Sequence, residues 1–150
     1  MKPLVITKSI NAKPQRVFEL MSDFEHAGDY ISAINKVEMH TEGPVGVGTR
    51  FTETRTMFGK EATETMEVSI FEPGQSYTLL AGSHGSTYTS IMRALPEGDG
   101  TRVEFEFHAE PHSFMAKTMS VLLGPLMKGA VAKAMRQDLE DLRVAAEAGG

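Results

Sequence analysis

The sequence predicts an α+β domain in which one strand and two short helices precede about six antiparallel strands and one long C-terminal helix. Three observations carry this reading. Apolar and polar residues alternate over Pro3–Asn11, turn residues recur at short intervals between Ala33 and Pro111, and from Ser113 onward apolar residues return every three or four positions.

In the first strand, Leu4, Ile6 and Ile10 supply the buried side. Pro14 suits the first turn of a helix carrying Val17, Phe18 and Met21 on one side, and Ser22 or Asp23 caps a second short helix ending near Tyr30. Breaks at Gly43-Pro44, Gly46, Gly48, Gly59-Lys60, Pro73-Gly74, Gly82 to Gly85 and Pro96 to Gly100 cut the middle of the chain into strand-length runs rich in Thr, Val, Phe and Ile. Their short connections are hairpin-like, so the sheet is antiparallel. In the last helix, Met115, Met119, Leu122, Leu126, Ala130, Ala134 or Met135, Leu139 and Leu142 are expected to form one apolar face that covers the sheet. Pro125 is expected to kink or loosen it, and the tail Ala145 to Gly150 to fray.

With 41% hydrophobic and 23% charged positions, the 150 residues fit a single domain spanning 1–150. A chain of this length removes ~70% of its unfolded surface from water, so it needs neither disulfides nor a structural metal to fold. Cysteine is absent, which excludes thiol nucleophiles, redox pairs and cysteine-based zinc sites and permits a reducing cytoplasm, the expected location. The net charge of −5 argues against nucleic acid as a partner. The N-terminus lacks the apolar run and cleavage site of a signal peptide and reads as a mature start. Phe114 to Met135 is interrupted by Lys117, Lys128, Lys133, Gly124 and Pro125, so no stable membrane insertion is expected. Ten methionines and no tryptophan describe an adaptable interior.

The hairpin around Gly59-Lys60 is the most informative piece, because its turn sets its register. With Gly59 at the first corner of a two-residue turn, Phe51 faces Val68, Glu53 faces Met66, Arg55 faces Glu64 and Met57 faces Ala62. Phe51, Met66, Val68 and Ile70 mark that face as the inner one, so Glu53, Arg55 and Glu64 point inward. Ionisable groups there are costly unless paired or wet. Either Arg55 and Glu64 form a cross-strand salt bridge with Glu53 turned to solvent, or the three contact a ligand. Glu53, facing Met66 rather than a cation, is the expected general acid or hydrogen-bond donor.

Several stretches together carry a resemblance. They are Asn11-Ala-Lys-Pro-Gln-Arg-Val-Phe-Glu-Leu-Met-Ser-Asp23 after the first strand, Gly46-Val-Gly-Thr-Arg-Phe51, Glu67-Val-Ser-Ile-Phe-Glu-Pro-Gly74, Gly98-Asp-Gly-Thr-Arg-Val103 and the C-terminal Asp138-Leu-Glu-Asp-Leu-Arg143. Over nearly its whole length the sequence resembles the SRPBCC superfamily of START-like lipid carriers, birch-pollen-allergen-type proteins and, most of all, polyketide cyclase/dehydrase-like proteins. The resemblance implies a helix-grip fold: a curved seven-stranded antiparallel sheet wrapped around a long C-terminal helix, two short helices closing one end, and a hydrophobic cavity between. In the cyclase members, cavity Arg, acidic, Ser/Thr, His or Tyr groups carry the chemistry, and Arg55, Glu53 and Glu64 are the nearest match by type. These motifs set backbone shape, so they specify fold better than function.

Other motifs offer little. Gly46-Val-Gly-Thr-Arg-Phe51 leads into a strand and is a turn rather than a dinucleotide fingerprint. Gly82-Ser-His-Gly-Ser86 is a solvated hairpin loop rather than a nucleophile elbow. His108, Glu110 and His112 alternate like metal ligands, but Val103, Phe105 and Phe107 claim the inner face, so these three lie outside and no metal or cofactor is expected. His26 and His40 read as unpartnered surface residues. Strand 87–95 allows two registers, one turning Tyr88, Ser90 and Met92 inward, the other Thr89, Ile91 and Arg93.

Three functional readings stand. The favoured one is a carrier for a small apolar or amphipathic ligand, lined by Arg55, Glu53, Glu64, Met66, Tyr30, Phe105, Phe107, Met119 and Met127. The second is a cyclase/dehydratase-like enzyme using Glu53 or Glu64 as acid or base and Arg55 to stabilise an oxyanion. The third is a membrane- or protein-docking module in which Phe114 to Met127 meets its partner with help from Lys117 and Lys128. The chain is expected to be a monomer or homodimer.

Overall fold

The alternation at the N-terminus becomes strand β1 (Leu4–Ile10), and Pro14 opens helix α1 (Pro14–Met21), which a 3-10 helix (Phe24–Asp29) follows. The elements are those of a computed structural model that describes residues 2–83 and 85–149. Six strands come next: β2 (Ile34–Met39), β3 (Arg50–Met57), β4 (Lys60–Glu72), β5 (Ser76–Ser83), β6 (Ser86–Glu97) and β7 (Gly100–Pro111). Helix α2 (Phe114–Ala148) ends the described chain, and the Ser113 hydroxyl caps it by accepting from the Ala116 N–H. The strands form one antiparallel sheet in the order β1-β7-β6-β5-β4-β3-β2, and α2 runs closest to β1, β7 and α1. A curved seven-stranded sheet gripping a long C-terminal helix is the helix-grip architecture.

One end of the layer between sheet and helix is packed solid. Phe24 stacks on Phe51 with ring centroids 4.5 Å apart, Tyr77 meets Phe24 edge-on at 5.0 Å, and Phe18 meets Tyr77 at 6.5 Å. Val17, Val68, Val103, Leu139 and Leu142 are almost wholly buried beside them. Each such side chain contributes about 1.5–3 kcal/mol through removal from water.

The β3–β4 hairpin turns one residue earlier than the sequence suggests. Phe58 and Gly59, at φ 54° and 74°, are the two central residues, and Met57 pairs with Lys60. Positive φ at both positions is the signature of a type I′ turn, whose twist matches that of the strands. The displacement moves every pair by two positions, so Phe51 faces Met66, Glu53 faces Glu64 and Arg55 faces Ala62. A shift by two leaves each side chain on its expected face. Further along β4 the parity does change. A register shift between Val68 and Ile70 turns Ile70 outward, and Phe71 packs against the core in its place. For strand 87–95 the register is the one with Tyr88, Ser90 and Met92 inward: Met92 faces Phe105, and Arg93 faces Glu104 on the outer side.

Helix α2 departs most from expectation. Its C-terminal end does not fray: Ala146 is fully buried and the helix continues to Ala148. Nor is its apolar face a single stripe. Met135, Leu139 and Leu142 point into the core, whereas Met115, Leu122 and Leu126 are 75%, 70% and 74% exposed. The spacing explains this: Leu126 and Leu139 are about 3.6 helical turns apart, which puts them on opposite sides of the cylinder. The helix passes unbroken through Pro125, which lacks the N–H that would bond the Val121 carbonyl.

This slip is directly measurable. Leu139→Ala is expected to cost about 2–5 kcal/mol in denaturant unfolding, whereas Leu122→Ala is expected to stay within about 0.5 kcal/mol of the parent. Equal losses at the two positions would show that both halves of α2 cover the sheet.

Candidate functional site

The packed end stops at a layer of charge. Along the inner face of β3 the side chains run Phe51, Glu53, Arg55 and Met57, passing from the aromatic cluster toward the hairpin tip. The Arg55 guanidinium donates from Nε to Glu53 Oε2 at 3.1 Å and from Nη2 to Glu53 Oε1 at 3.3 Å. Its Nη2 also lies 3.0 Å from Asp138 Oδ2 on α2, so a single cation ties sheet to helix. All three side chains are about one-sixth exposed. Glu64, directly across the ladder from Glu53, is half-buried and has no cation of its own among the described residues. The salt bridge expected between Arg55 and Glu64 is thus replaced by one within β3 and one to α2, because the register puts Ala62 opposite Arg55.

Three carboxylates share this one guanidinium. Burial pushes the Asp138 carboxyl up to about 6, with Glu53 and Asp141 adding to the rise and Arg55 opposing it. Glu64 is raised as well, by burial and by the facing Glu53. Burial works to lower Arg55, but Asp138 and Glu53 outweigh it and hold the guanidinium above its ordinary value. Asp138 Oδ1 is buried and receives no hydrogen bond from any described residue.

Two tyrosines close the layer. Tyr77 Oη donates to the Met21 carbonyl at 2.9 Å, and Tyr30 Oη donates to the Leu20 carbonyl at 3.1 Å. Both serve carbonyls of the last turn of α1, that of Leu20 also accepting from the Asp23 N–H at 3.2 Å. Burial raises both phenols, and the nearby carboxylates, Asp138 among them, raise them further. With their protons committed to α1, the hydroxyl oxygens face their surroundings as acceptors.

Beyond this layer the inner sheet surface is uncovered. Ala62 is exposed and Met57, Tyr88 and Phe107 are half-buried, with Phe107 stacked on Tyr88 at 5.9 Å. The first half of α2 is largely exposed as well. Of the side chains expected to line a cavity, Met66 is buried, Phe105 and Phe107 lie on the inner face of β7, and Tyr30 stands beside Asp138. Met119 and Met127, on the first half of α2, are 48% and 44% exposed. Two open grooves lie elsewhere: one of about 560 Å³ between α1 and the β4–β5 turn, lined by Phe18, Glu19 and Pro73, and one of about 280 Å³ lined by Arg50, Met66 and Leu80. The inner charges line neither.

Asp138, Tyr77 and Asp141 were not singled out by sequence reasoning. Asp138 sits three residues after Met135 and four before Leu142, on the buried stripe, and that spacing was the available signal. Asp141 accepts from the Ser32 N–H and hydroxyl at 2.9 and 2.8 Å, fixing the loop after the 3-10 helix.

The remaining polar candidates are structural. Arg93 pairs outward with Glu106 at 3.0 Å, and His108 also bonds Glu106. His112 meets the Thr87 hydroxyl at 2.8 Å, and no metal-binding cluster occurs among the described residues. His26 and His40, expected to be unpartnered, meet Asp23 at 3.0 Å and Thr52 at 2.6 Å. His84, in the loop expected to be solvated, lies outside the described residues.

A sequence model of the family described as polyketide cyclase/dehydrase and lipid transport matches residues 3–147. No curated protein matches the chain. Among solved structures, TTHA0849 from Thermus thermophilus is similar at 21% identity over 99% of both chains, with a TM-score of 0.82. The Zhui aromatase/cyclase from Streptomyces sp. R1128 is 16% identical over 97% of this chain and 93% of its own, at 0.75. Ginseng major latex-like protein 151 from Panax ginseng is 12% identical over 97% of both, at 0.77. At these identities the likeness establishes the fold.

The charge layer makes stability depend on pH with a definite sign. The folded state holds the Asp138 proton more tightly than the unfolded chain, so this group favours folding at low pH, and that contribution is lost as pH rises from about 4 through 6. Asp138→Asn cannot lose it. The melting temperature of Asp138→Asn relative to the parent is therefore expected to climb between pH 4.5 and 7.5, and a flat difference would contradict the raised carboxyl. Arg55→Ala leaves the carboxylates uncompensated and is expected to cost about 3–5 kcal/mol at neutral pH. Denaturant unfolding is expected to show a smaller loss at pH 5, where the raised carboxyls take up protons.

Proposed function

The chain belongs to the polyketide cyclase/dehydrase and lipid transport family, and from that premise we propose that it binds a small hydrophobic ligand in the cleft between α2 and the inner sheet face. The ligand's polar end would rest on the layer formed by Arg55, Glu53, Glu64 and Asp138, with its apolar body along Met57, Tyr88 and Phe107. The family's description covers both carriage and catalysis, so the chemistry of this layer has to distinguish them.

The observation that carries the reading is the imbalance of charge. Two of the three guanidinium nitrogens are engaged by carboxylates, and among the described residues Glu64 has no cation of its own and Asp138 Oδ1 is a buried acceptor without a donor. Both tyrosine hydroxyls have their protons engaged by α1. What remains is dominated by acceptors in a layer of negative net charge, so it suits a ligand end that donates, a hydroxyl or an ammonium, better than a carboxylate or an enolate.

A matched series of amphiphiles with a common twelve-carbon chain tests this by isothermal titration calorimetry. Dodecylamine and dodecanol are expected to bind at least about tenfold more tightly than laurate, a difference of roughly 1.4 kcal/mol. Asp138→Asn is expected to reduce the preference for the amine. Tighter binding of laurate would sink the assignment of a donor end, and no binding by any of the three would sink the carrier reading.

A second reading, acid–base catalysis, is favoured by one observation. Burial and the neighbouring Glu53 and Asp141 raise the Asp138 carboxyl to about 6, toward the range in which an acid–base group works at neutral pH. It differs from the carrier reading in requiring turnover that falls in Asp138→Asn while binding persists.

A further inference from the structure

The least explained surface of the molecule is the first half of α2. Met115, Met119, Leu122 and Leu126 follow one another at helical spacing and face away from the sheet, with Phe114 and Val121 exposed beside them at 87% and 80%. Leucines scattered singly on a surface need no explanation, but four large apolar side chains in one outward stripe do. A helix whose apolar stripe faces water is an unpartnered amphipathic helix.

The charges around the stripe say what partners it. From Ser113 to Gln137 there is no Asp or Glu; Lys133 and Arg136 lie at the C-terminal end of the stripe, whereas Lys117 and Lys128, expected to help docking, fall on the opposite side of the helix. The rest of the chain, with eleven Lys and Arg against twenty Asp and Glu, carries −9. None of the four cations has an ion-pair partner among the described residues. Lys133 follows Leu126 by seven residues, about two turns, so it continues the stripe on the same side, and Arg136 lies close to that side. Apolar residues running into unpaired cations, with no carboxylate between them, complement a surface that is apolar below and anionic above. That is the interface of a bilayer containing acidic lipids.

The competing occupant is a second copy of the chain. A two-fold contact would set this face against itself, and because the face carries no carboxylate from Ser113 to Gln137, Lys133 and Arg136 would meet no opposite charge there in either helix orientation. Insertion across the bilayer is not the alternative either, since no helix among the described residues is long and apolar enough to cross a membrane.

We propose that the outward face of α2 from Phe114 to Arg136 docks on the surface of an anionic bilayer, with the Met115–Leu126 stripe in the headgroup region and Lys133 and Arg136 on the acidic lipids. The strongly acidic remainder of the chain is repelled by the same surface, which orients the molecule with α2 toward the lipid.

Flotation of the full chain with liposomes tests the proposal. Vesicles of phosphatidylcholine with about 30% phosphatidylglycerol are expected to carry the protein, and pure phosphatidylcholine vesicles to leave it behind. Leu122→Ser/Leu126→Ser and, separately, Lys133→Glu/Arg136→Glu are each expected to reduce flotation by roughly tenfold or more. Circular dichroism melts should be unchanged, because all four side chains are exposed. Failure to float on the acidic vesicles, or flotation that survives both double substitutions, would overturn it. So would light scattering that shows a dimer abolished by Leu122→Ser/Leu126→Ser, since a second copy would then cover the face. Either result leaves the amphiphile titrations free to succeed or fail independently.

Discussion

The guanidinium of Arg55 is the point on which the interior is organised. It joins β3 to α2 through Glu53 and Asp138, and it does so at the boundary between an aromatic core and an uncovered sheet surface. Removing such charges from water is unfavourable, and a pair offsets that cost only when geometry and further hydrogen bonds are good. Here the offset is incomplete. Three carboxylates share one cation, two of them are raised, and one oxygen has no donor. A layer built only for stability would be better filled with apolar side chains of the same volume.

Helix α2 is two helices in all but backbone. Its second half is held from several directions: Leu139 and Leu142 in the core, Asp138 to Arg55, Asp141 to Ser32, Glu140 to Lys8 at 2.7 Å, and Glu147 to the Asn11 N–H at 3.0 Å. Lys8 and Arg55 reach it from opposite sides of the sheet, from β1 and β3, so they fix its rotation as well as its position. The first half has no ion pair among the described residues and contains Gly124, Pro125 and Gly129, which weaken helix continuity. The turn of the apolar stripe from inward to outward falls within this stretch. Local stability follows the number of buried contacts, so the two halves differ in it sharply.

Much of this was legible in the sequence, and the parts that were not have physical reasons. Alternation gave the strands, and Pro14 and Ser113 gave the starts of α1 and α2, because each signal acts through the local backbone. The inward direction of Glu53, Arg55 and Glu64 survived an error in the turn, since a displacement of the pairing by two preserves faces. Partner choice did not survive it: whether Arg55 meets Glu64 or Ala62 depends on whether Phe58 accepts a positive φ, which its side chain does not advertise. Ile70 was misplaced because a bulge leaves no reliable trace in the apolar pattern. Asp138 was overlooked because a charged residue on an apolar stripe is usually read as an interruption. Its partner came from a strand over eighty residues earlier, which no local pattern records.

The slip of the α2 stripe shows why apolar periodicity alone misjudges a long helix. Met115 to Leu126 and Met135 to Leu142 each satisfy a three-or-four spacing, and joined end to end they look like one continuous face. The step from Leu126 to Leu139 has to be counted in turns rather than in three-or-four intervals, because small errors of phase accumulate along 35 residues. Once counted, the two segments cannot serve one surface. The sheet takes the second, where Asp138, Glu140 and Asp141 anchor the helix, and the first must face something else. The same phase difference separates the cleft from the outward stripe, so residues that would contact a ligand and residues that would contact a bilayer lie on different sides of one helix. Substitution on one side of the helix can therefore leave the other side intact.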